Sequence, residues 1–344
     1  MKYVIIGLMI ILACLGTCFG PAKANDIYIS QVGDNVDIDI VQDGENNQIE
    51  GLSGSGNALI NGANGTASFN QTGDSNQIRV WTDSSSGKSM TVNQTGNSNI
   101  SLVDNHGQDN TITTNVTGNN NYNFSEIGNG GDTDNTITTT INGDSNNVIA
   151  EVQDGDNNTI DVQVQSQDNN IVRVYVDGDN NNSKVWQGKH EDGDVDNNET
   201  GDNDAYWYIT GSNNTTASYQ TDDNGNGGQY NFNDIDGSSN TVKITQRGAG
   251  DHWSKTDVNG NSNDITILQR GNSHNQTSTL TVDDGHTVDI LQRYGSHTST
   301  INLTNSGGAY TVDVDQTDNS TDRSYSLTGY CSNSNGCSVT VTQN

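Results

Sequence analysis

The sequence predicts an all-β fold, a β-solenoid with two strands per coil of about 23 residues and cross-β stacking of the coils. Three observations predict it. A nine-residue frame, Asn240-Thr-Val242-Lys-Ile244-Thr-Gln246-Arg-Gly248, returns 23 residues later as Asn263-Asp-Ile265-Thr-Ile267-Leu-Gln269-Arg-Gly271, and a third copy runs from His286 through Val288, Ile290 and Gln292 to Gly295. Within each copy amide and apolar residues alternate with polar ones, which gives a strand with Asn, Val/Ile and Gln on one face. Pro21 is the only proline, so no later residue lacks a backbone donor for a sheet.

Taken from the N-terminus, residues 1–24 read as a signal peptide. Lys2 precedes an apolar run from Tyr3 to Leu15, and Ala22-Lys23-Ala24 has the small-x-small pattern of a cleavage site. That run is too short to span a bilayer, and no later stretch reaches the roughly 18 apolar residues a membrane helix needs. Residues 25–344 then read as one solenoid. Gln42-Asp-Gly44 leads to Asn47, Gln71-Thr-Gly73 to Asn76, Gln94-Thr-Gly96 to Asn99, and Gln153-Asp-Gly155 to Asn158. Gly107 to Asn110 and Gly143 to Asn146 continue the frame without the glutamine. In the last third Gly237, Gly248, Gly260 and Gly271 are 11, 12 and 11 residues apart, so one strand plus one turn is a half-coil. Alternation is lost from Lys189 to Asp204, an acidic stretch that reads as a loop. Dividing the length by the period gives about 14 coils and, at about 4.8 Å per strand, a rod near 65 Å.

These recurring Gln-x-Gly-x-x-Asn frames resemble the curlin repeat of curli fibre subunits. The resemblance implies strand-turn-strand units stacked into a cross-β fold and polymerised as extracellular amyloid for adhesion or biofilm. It also implies that the main partner is another copy, with a nucleator or secretion channel as a further partner. Head-to-tail joining is expected from the ends, since strands are read at Ile27–Gln31 and at Val339–Gln343, and pairing of Ser338–Gln343 with Tyr28–Gln31 of the next copy would continue one ladder.

A hydrophobic fraction of 29% is low for a packed core. The repeated order answers this, because identical amides stacked about 4.8 Å apart can bond to one another along the axis. The candidate ladder comprises Gln42, Asn47, Gln71, Asn76, Gln94, Asn99, Gln153, Asn158, Asn240, Gln246, Asn263, Gln269 and Gln292. Its turns are marked by Gly44, Gly73, Gly96, Gly155, Gly237, Gly248, Gly260 and Gly271. Cys331 and Cys337 flank a short polar loop, and in an exported chain they are expected to form a local disulfide.

The formal charge is −30, and loss of Lys2 and Lys23 makes it −32. Nucleic acid and anionic lipid would be repelled. No Gly-x-Ser-x-Gly elbow or phosphate loop is present, and His252, His274 and His297 fall near turns without zinc-ligand spacing, so neither catalysis nor a cofactor is expected. Asp154-Gly-Asp156, Asp177-Gly-Asp179 and Asp192-Gly-Asp194 place oxygen ligands close together, yet their spacing is not that of a calcium β-roll, and solubilising turn charges are the plainer reading. Arg247, Arg270 and Arg293 recur on the outward face, with Asp264 and Asp289 as compensating charges. Thr111, Thr113, Thr136, Thr138 and Thr140 cover too few coils for an ice-binding face. Tyr206-Trp207-Tyr208 alternates as strand aromatics do when they pack on neighbours, or stack on a sugar ring.

Two function classes follow. The first is a secreted, self-assembling structural subunit at or outside the cell surface. The alternative is a monomeric secreted solenoid that binds a surface such as carbohydrate or ice, or serves as a phage-type fibre, with calcium as a stabiliser.

Overall fold

The computed structural model describes residues 24–343 apart from 33, 53, 55, 61–63, 83–87, 106–107, 129–132, 166–170, 189–202, 222–227, 249–251, 272–275, 282–283, 304–307, 318–321, 330 and 334. The expected leader at 1–24 lies almost wholly outside these residues, as do Gly107, His274, Asp192-Gly-Asp194 and the acidic stretch from 189 to 202. The described residues are all-β, without helix, and every paired strand is parallel to its neighbour. No helix among them is long and apolar enough to cross a membrane.

The chain winds into a β-solenoid of about 11 turns with coils of roughly 24 residues. The count falls below the 14 obtained from length because inserts lengthen individual coils. Equivalent positions are 23 residues apart from Gln246 to Gln269 but 29 apart from Gln42 to Gln71 and 33 apart from Gln187 to Gln220. At about 4.8 Å per rung, 11 turns give a stack near 53 Å. One long sheet of 15 strands runs from Val36–Ile38 to Cys337–Gln343. The facing wall is a sheet of 10 strands that begins at Asp26–Ile27 and a sheet of five that ends at Arg323–Gly329. An isolated bridge between Asn203 and Gln229 links the two. Asn203 and Asp204, expected in the loop, therefore belong to a rung, and Asp204–Ala205 is itself a strand.

Alternation decides which residues form the core. In Asp264–Arg270 the side chains of Ile265, Ile267 and Gln269 are buried, whereas Asp264 and Arg270 are exposed. The neighbouring rungs place Val242 and Ile244 below, and Val288 and Ile290 above, in direct register. Each fully buried Val or Ile contributes about 1.5–3 kcal/mol, and the stack repeats that contribution in coil after coil. Serines also occupy buried inner positions, as at Ser183, Ser218, Ser254 and Ser278.

The corners explain the Gly-x-x-Asn frame. Gly96 has φ +116°, and a Cβ there would lie 1.9 Å from the carbonyl oxygen of Gly118 in the next coil. Glycine is therefore required by close stacking as well as by backbone conformation. The residue just before the asparagine is left-handed too: Asn46, Ser75, Ser98, Asn157 and Ser239 all have φ near +60°. Asn, Asp and Ser tolerate that conformation best, which accounts for much of the unusual composition.

Candidate functional site: amide columns and open edges

The glutamines gather in one column at the end of the long-sheet strands. From Gln187 each side-chain Nε2 donates to the Oε1 of the next rung: Gln220 at 2.9 Å, Gln246 at 2.8 Å, Gln269 at 2.9 Å, Gln292 at 3.0 Å, Gln316 at 2.9 Å and Gln343 at 2.8 Å. The same amides also bond across the core to the facing wall. Gln246 donates to Tyr230 O at 2.9 Å, Gln269 to Trp253 O at 2.9 Å and Gln292 to Thr277 O at 3.1 Å. Each amide thus ties its rung to the next rung and one wall to the other. Gln42, Gln71 and Gln94 hold the same register in the first coils and reach across to Asp26 O, Gln48 O and Gln77 O. Between these two runs Val116, Ile141 and Val164 occupy the column.

Gln153 does not join this column. It is exposed on the other wall with φ +46°, and its Nε2 bonds Glu151. The ladder assignment of Gln153 is corrected accordingly: the frame matches, but this residue closes a second-wall segment and points outward.

The asparagines form two columns, one at each corner. Asn47, Asn76 and Asn99 belong to the first, which continues through Asn121 to Asn146; each Oδ1 accepts the backbone N–H of the next member at 2.9–3.0 Å. Asn158, Asn240 and Asn263 belong to the second, which also includes Asn110, Asn135, Asn181 and Asn214. The Nδ2 group reaches a stacked glycine carbonyl, as from Asn76 to Gly96 O at 2.7 Å and from Asn240 to Gly260 O at 2.8 Å. His286 takes the place of asparagine next in line: its N–H donates to Asn263 Oδ1 at 2.7 Å, and its Nδ1 accepts the Tyr310 N–H at 3.0 Å.

The eight glycines separate in the same way. Gly44, Gly73 and Gly96 stack at the first corner, and Gly155, Gly237 and Gly260 at the second. Gly248 and Gly271 stand two residues past the glutamine column, as Gly44, Gly73 and Gly96 do, and so belong to the first corner, where the Gly271 N–H donates to Arg247 O at 3.1 Å and the Gly96 N–H to Thr72 O at 2.9 Å.

Other predicted residues fall as follows. Cys331 and Cys337 form a disulfide that ties the last strand to the preceding turn. Arg247, Arg270 and Arg293 are in direct register. Asp264 and Asp289 lie four to six residues away along those strands, and burial first, then Asp313 and Asp264, hold the Asp289 carboxyl above the usual range. Asp289 is in register with Asp313, and Asp264 with Thr287, so neither of these aspartates lies in the register of the arginine column. Asp156 and Asp179 use their carboxylates on the corner backbone, from Thr133 N and Asp156 N respectively. No group of three or more His, Cys, Asp or Glu side chains that could hold a metal ion occurs among the described residues. Thr111 and Thr113 align with Thr136 and Thr138, but the next rung places Thr159 and Asp161 there.

The stack ends in open strands. Among the described residues Cys337–Gln343 pairs only with Tyr310–Gln316, and Arg323–Gly329 only with His297–Leu303. At the other end Val36–Ile38 pairs only with Gly65–Ala67, and Asp26–Ile27 only with Gln48–Gly51. Inward-facing Val339, Val341, Tyr325 and Leu327 are only partly covered, and Ile27, Tyr28, Val32 and Val41 are between 47% and 66% exposed. Backbone direction alternates along the last strand. Cys337 N–H and Gln343 O bond the preceding rung, so the N–H groups of Ser338, Thr340 and Thr342 face the open side. No protein-family model, curated protein or solved structure matches the chain.

Proposed function

We propose that this chain is a secreted structural subunit that assembles head to tail into an extracellular, curli-like fibre serving adhesion or a biofilm matrix. One observation carries the reading: the glutamine column reaches both open ends with complementary chemistry. Gln343 is the last acceptor of the run, and its Nε2 makes only a 3.4 Å contact to Ser324 O, which leaves an amide donor for a further rung; the buried Gln42 Oε1, in the same register on the first rung, accepts nothing, as is also true of Gln71 and Gln94 above it. Stacking a second copy sets Cys337–Gln343 against Val36–Asp43 and Arg323–Gly329 against Asp26–Gln31. This differs from direct pairing of Ser338–Gln343 with Tyr28–Gln31, because those two segments belong to opposite walls. Each junction pairs backbone groups and covers the half-exposed apolar residues at both ends, so growth needs no separate interface chemistry. The resemblance of the repeat to curlin supports the same reading.

Seeded thioflavin growth with Thr340→Pro tests it. That substitution removes one open-side donor and no hydrogen bond within the chain. Elongation is expected to fall at least tenfold with the denaturation midpoint little changed. Elongation at the parent rate, or a parent that stays monomeric in sedimentation at high salt and high concentration, would refute the reading.

A further inference from the structure

Aromatic residues are scarce in this chain, at 6% of the sequence, yet six of them share one outward patch. Tyr175, Tyr206, Tyr208, Tyr230, Phe232 and Trp253 project from four successive rungs of the second wall. The register that places them together runs from Ile171–Arg173 through Asp204–Ala205 and Gln229–Phe232 to His252–Lys255. Tyr175 and Tyr208 stack with ring centres 5.1 Å apart, Tyr230 and Trp253 stack at 6.1 Å, and Tyr206 and Phe232 bridge the two pairs edge-on. The Arg173 guanidinium lies 4.8 Å above the Tyr206 ring. On the next two rungs the equivalent outward positions hold Thr277, Thr279, Thr298 and Thr300. A solenoid wall therefore does not need the rings, and an exposed patch of this kind marks a contact surface.

Beside the stacked tyrosines is a cleft of about 240 Å³, lined by Glu151, Gln153, Tyr175, Asp177, Tyr208 and Thr210. Its volume falls just below the roughly 300 Å³ at which pockets for drug-sized ligands begin, a space suited to a single small ring. The lining combines an aromatic wall with carboxylate, amide and hydroxyl groups. Burial raises the Tyr175 hydroxyl above its ordinary value, with Glu151 adding to the effect, so it stays a donor at neutral pH. Burial also raises Glu151, although the bond from Gln153 opposes the shift.

We propose that this patch binds a neutral polysaccharide along the solenoid axis, with one sugar ring seated in the cleft at Glu151 and Tyr208. Charge selects the occupant. A protein of formal charge −30 repels polyanions, and Asp204, Asp234 and Asp257 lie in the same outward columns as the rings. A neutral chain of hydroxyls offers donors to those carboxylates and C–H faces to the rings, with no charge to desolvate. The patch is a side wall, so binding leaves the end strands free. It is independent of fibre growth.

The test titrates unseeded, monomeric protein with cellohexaose, chitohexaose and maltohexaose, and with polygalacturonate as the anionic probe, followed by intrinsic fluorescence and calorimetry. At least one neutral hexasaccharide is expected to bind saturably, with affinity unchanged by added salt. Tyr208→Ala and the peripheral Trp253→Ala should each weaken it at least tenfold, while Tyr219→Ala on the long sheet should not. Trp253 is 38% exposed, so its removal keeps the reading testable if the Tyr208 variant unfolds. Failure of all three neutral probes at millimolar concentration would overturn the proposal. So would tighter binding of polygalacturonate, equal loss in Tyr219→Ala, or self-association of the parent that Trp253→Ala abolishes.

Discussion

Replacing Gln269 with leucine tests whether the glutamine column acts as one unit. The change nearly conserves volume but removes the acceptor of the Gln246 amide and the donor to Gln292. The bond to Trp253 O across the core is lost as well. Two buried groups left without their axial partners cost about 1–3 kcal/mol each. Gln292 Oε1 keeps a contact from Ser278 Oγ at 3.3 Å, and the new leucine gains about 1.5–3 kcal/mol of apolar burial. The expected net loss is about 1–3 kcal/mol. The informative variant changes Gln246, Gln269 and Gln292 together. The ladder then ends at Gln220 and restarts at Gln316, so the number of interrupted axial ends is still two. The triple variant should therefore cost within about 1–2 kcal/mol of the single one, far below three times its value. Val116, Ile141 and Val164 already show the column accepting three apolar rungs in succession. Urea titrations of the single and triple variants, with the slope checked for constancy, give the comparison. Additive losses would refute the idea of a cooperative ladder.

Ile267→Asp should destabilise by about 3–5 kcal/mol, because it places a carboxylate in the core, whereas Thr266→Asp on the outer face should change the urea midpoint little. Gly96→Ala drives a methyl into the Gly118 carbonyl and should cost about 3 kcal/mol or more; Gly56→Ala, with φ +82° and open space around it, should cost about 1 kcal/mol. Acidification should stabilise the protein. Burial raises the folded-state values of Glu151, Asp234 and Asp289 above 4.5, 3.8 and 3.8, so the folded chain holds protons that the unfolded chain releases. Stability then grows as pH falls through the raised values and the gain is complete below the ordinary ones, so thermal midpoints should rise as the protein is acidified from neutral pH into the ordinary carboxylate range, and rise less in Asp289→Asn.

The long-sheet rungs were legible in the sequence because Ile244, Ile267 and Ile290 repeat at a fixed separation with glutamine two residues on. What the residue order conceals is the corner at which a frame sits. Gly-x-x-Asn closes both corners by the same bonds, so Asn99 and Asn158 look alike although they belong to different columns. Gln153 was misread for the same reason. Gln187, Gln220, Gln316 and Gln343 were missed because no glycine stands two residues beyond them, although each ends an alternating strand. The aromatic patch depends on aligning Tyr175 with Tyr208 across 33 residues, and only backbone pairing on both sides of the intervening segment fixes that alignment.

The glutamine column is interrupted for three successive rungs, where Val116, Ile141 and Val164 stand in it. In mechanical terms the glutamines are rivets that join two plates, and over these rungs this row of rivets is missing. Load that enters one wall there has to pass to the other as shear between packed apolar side chains, which slide at lower force than hydrogen-bonded amides. Stretching the protein from its ends should therefore part the walls first between Val116 and Val164 and not at either end.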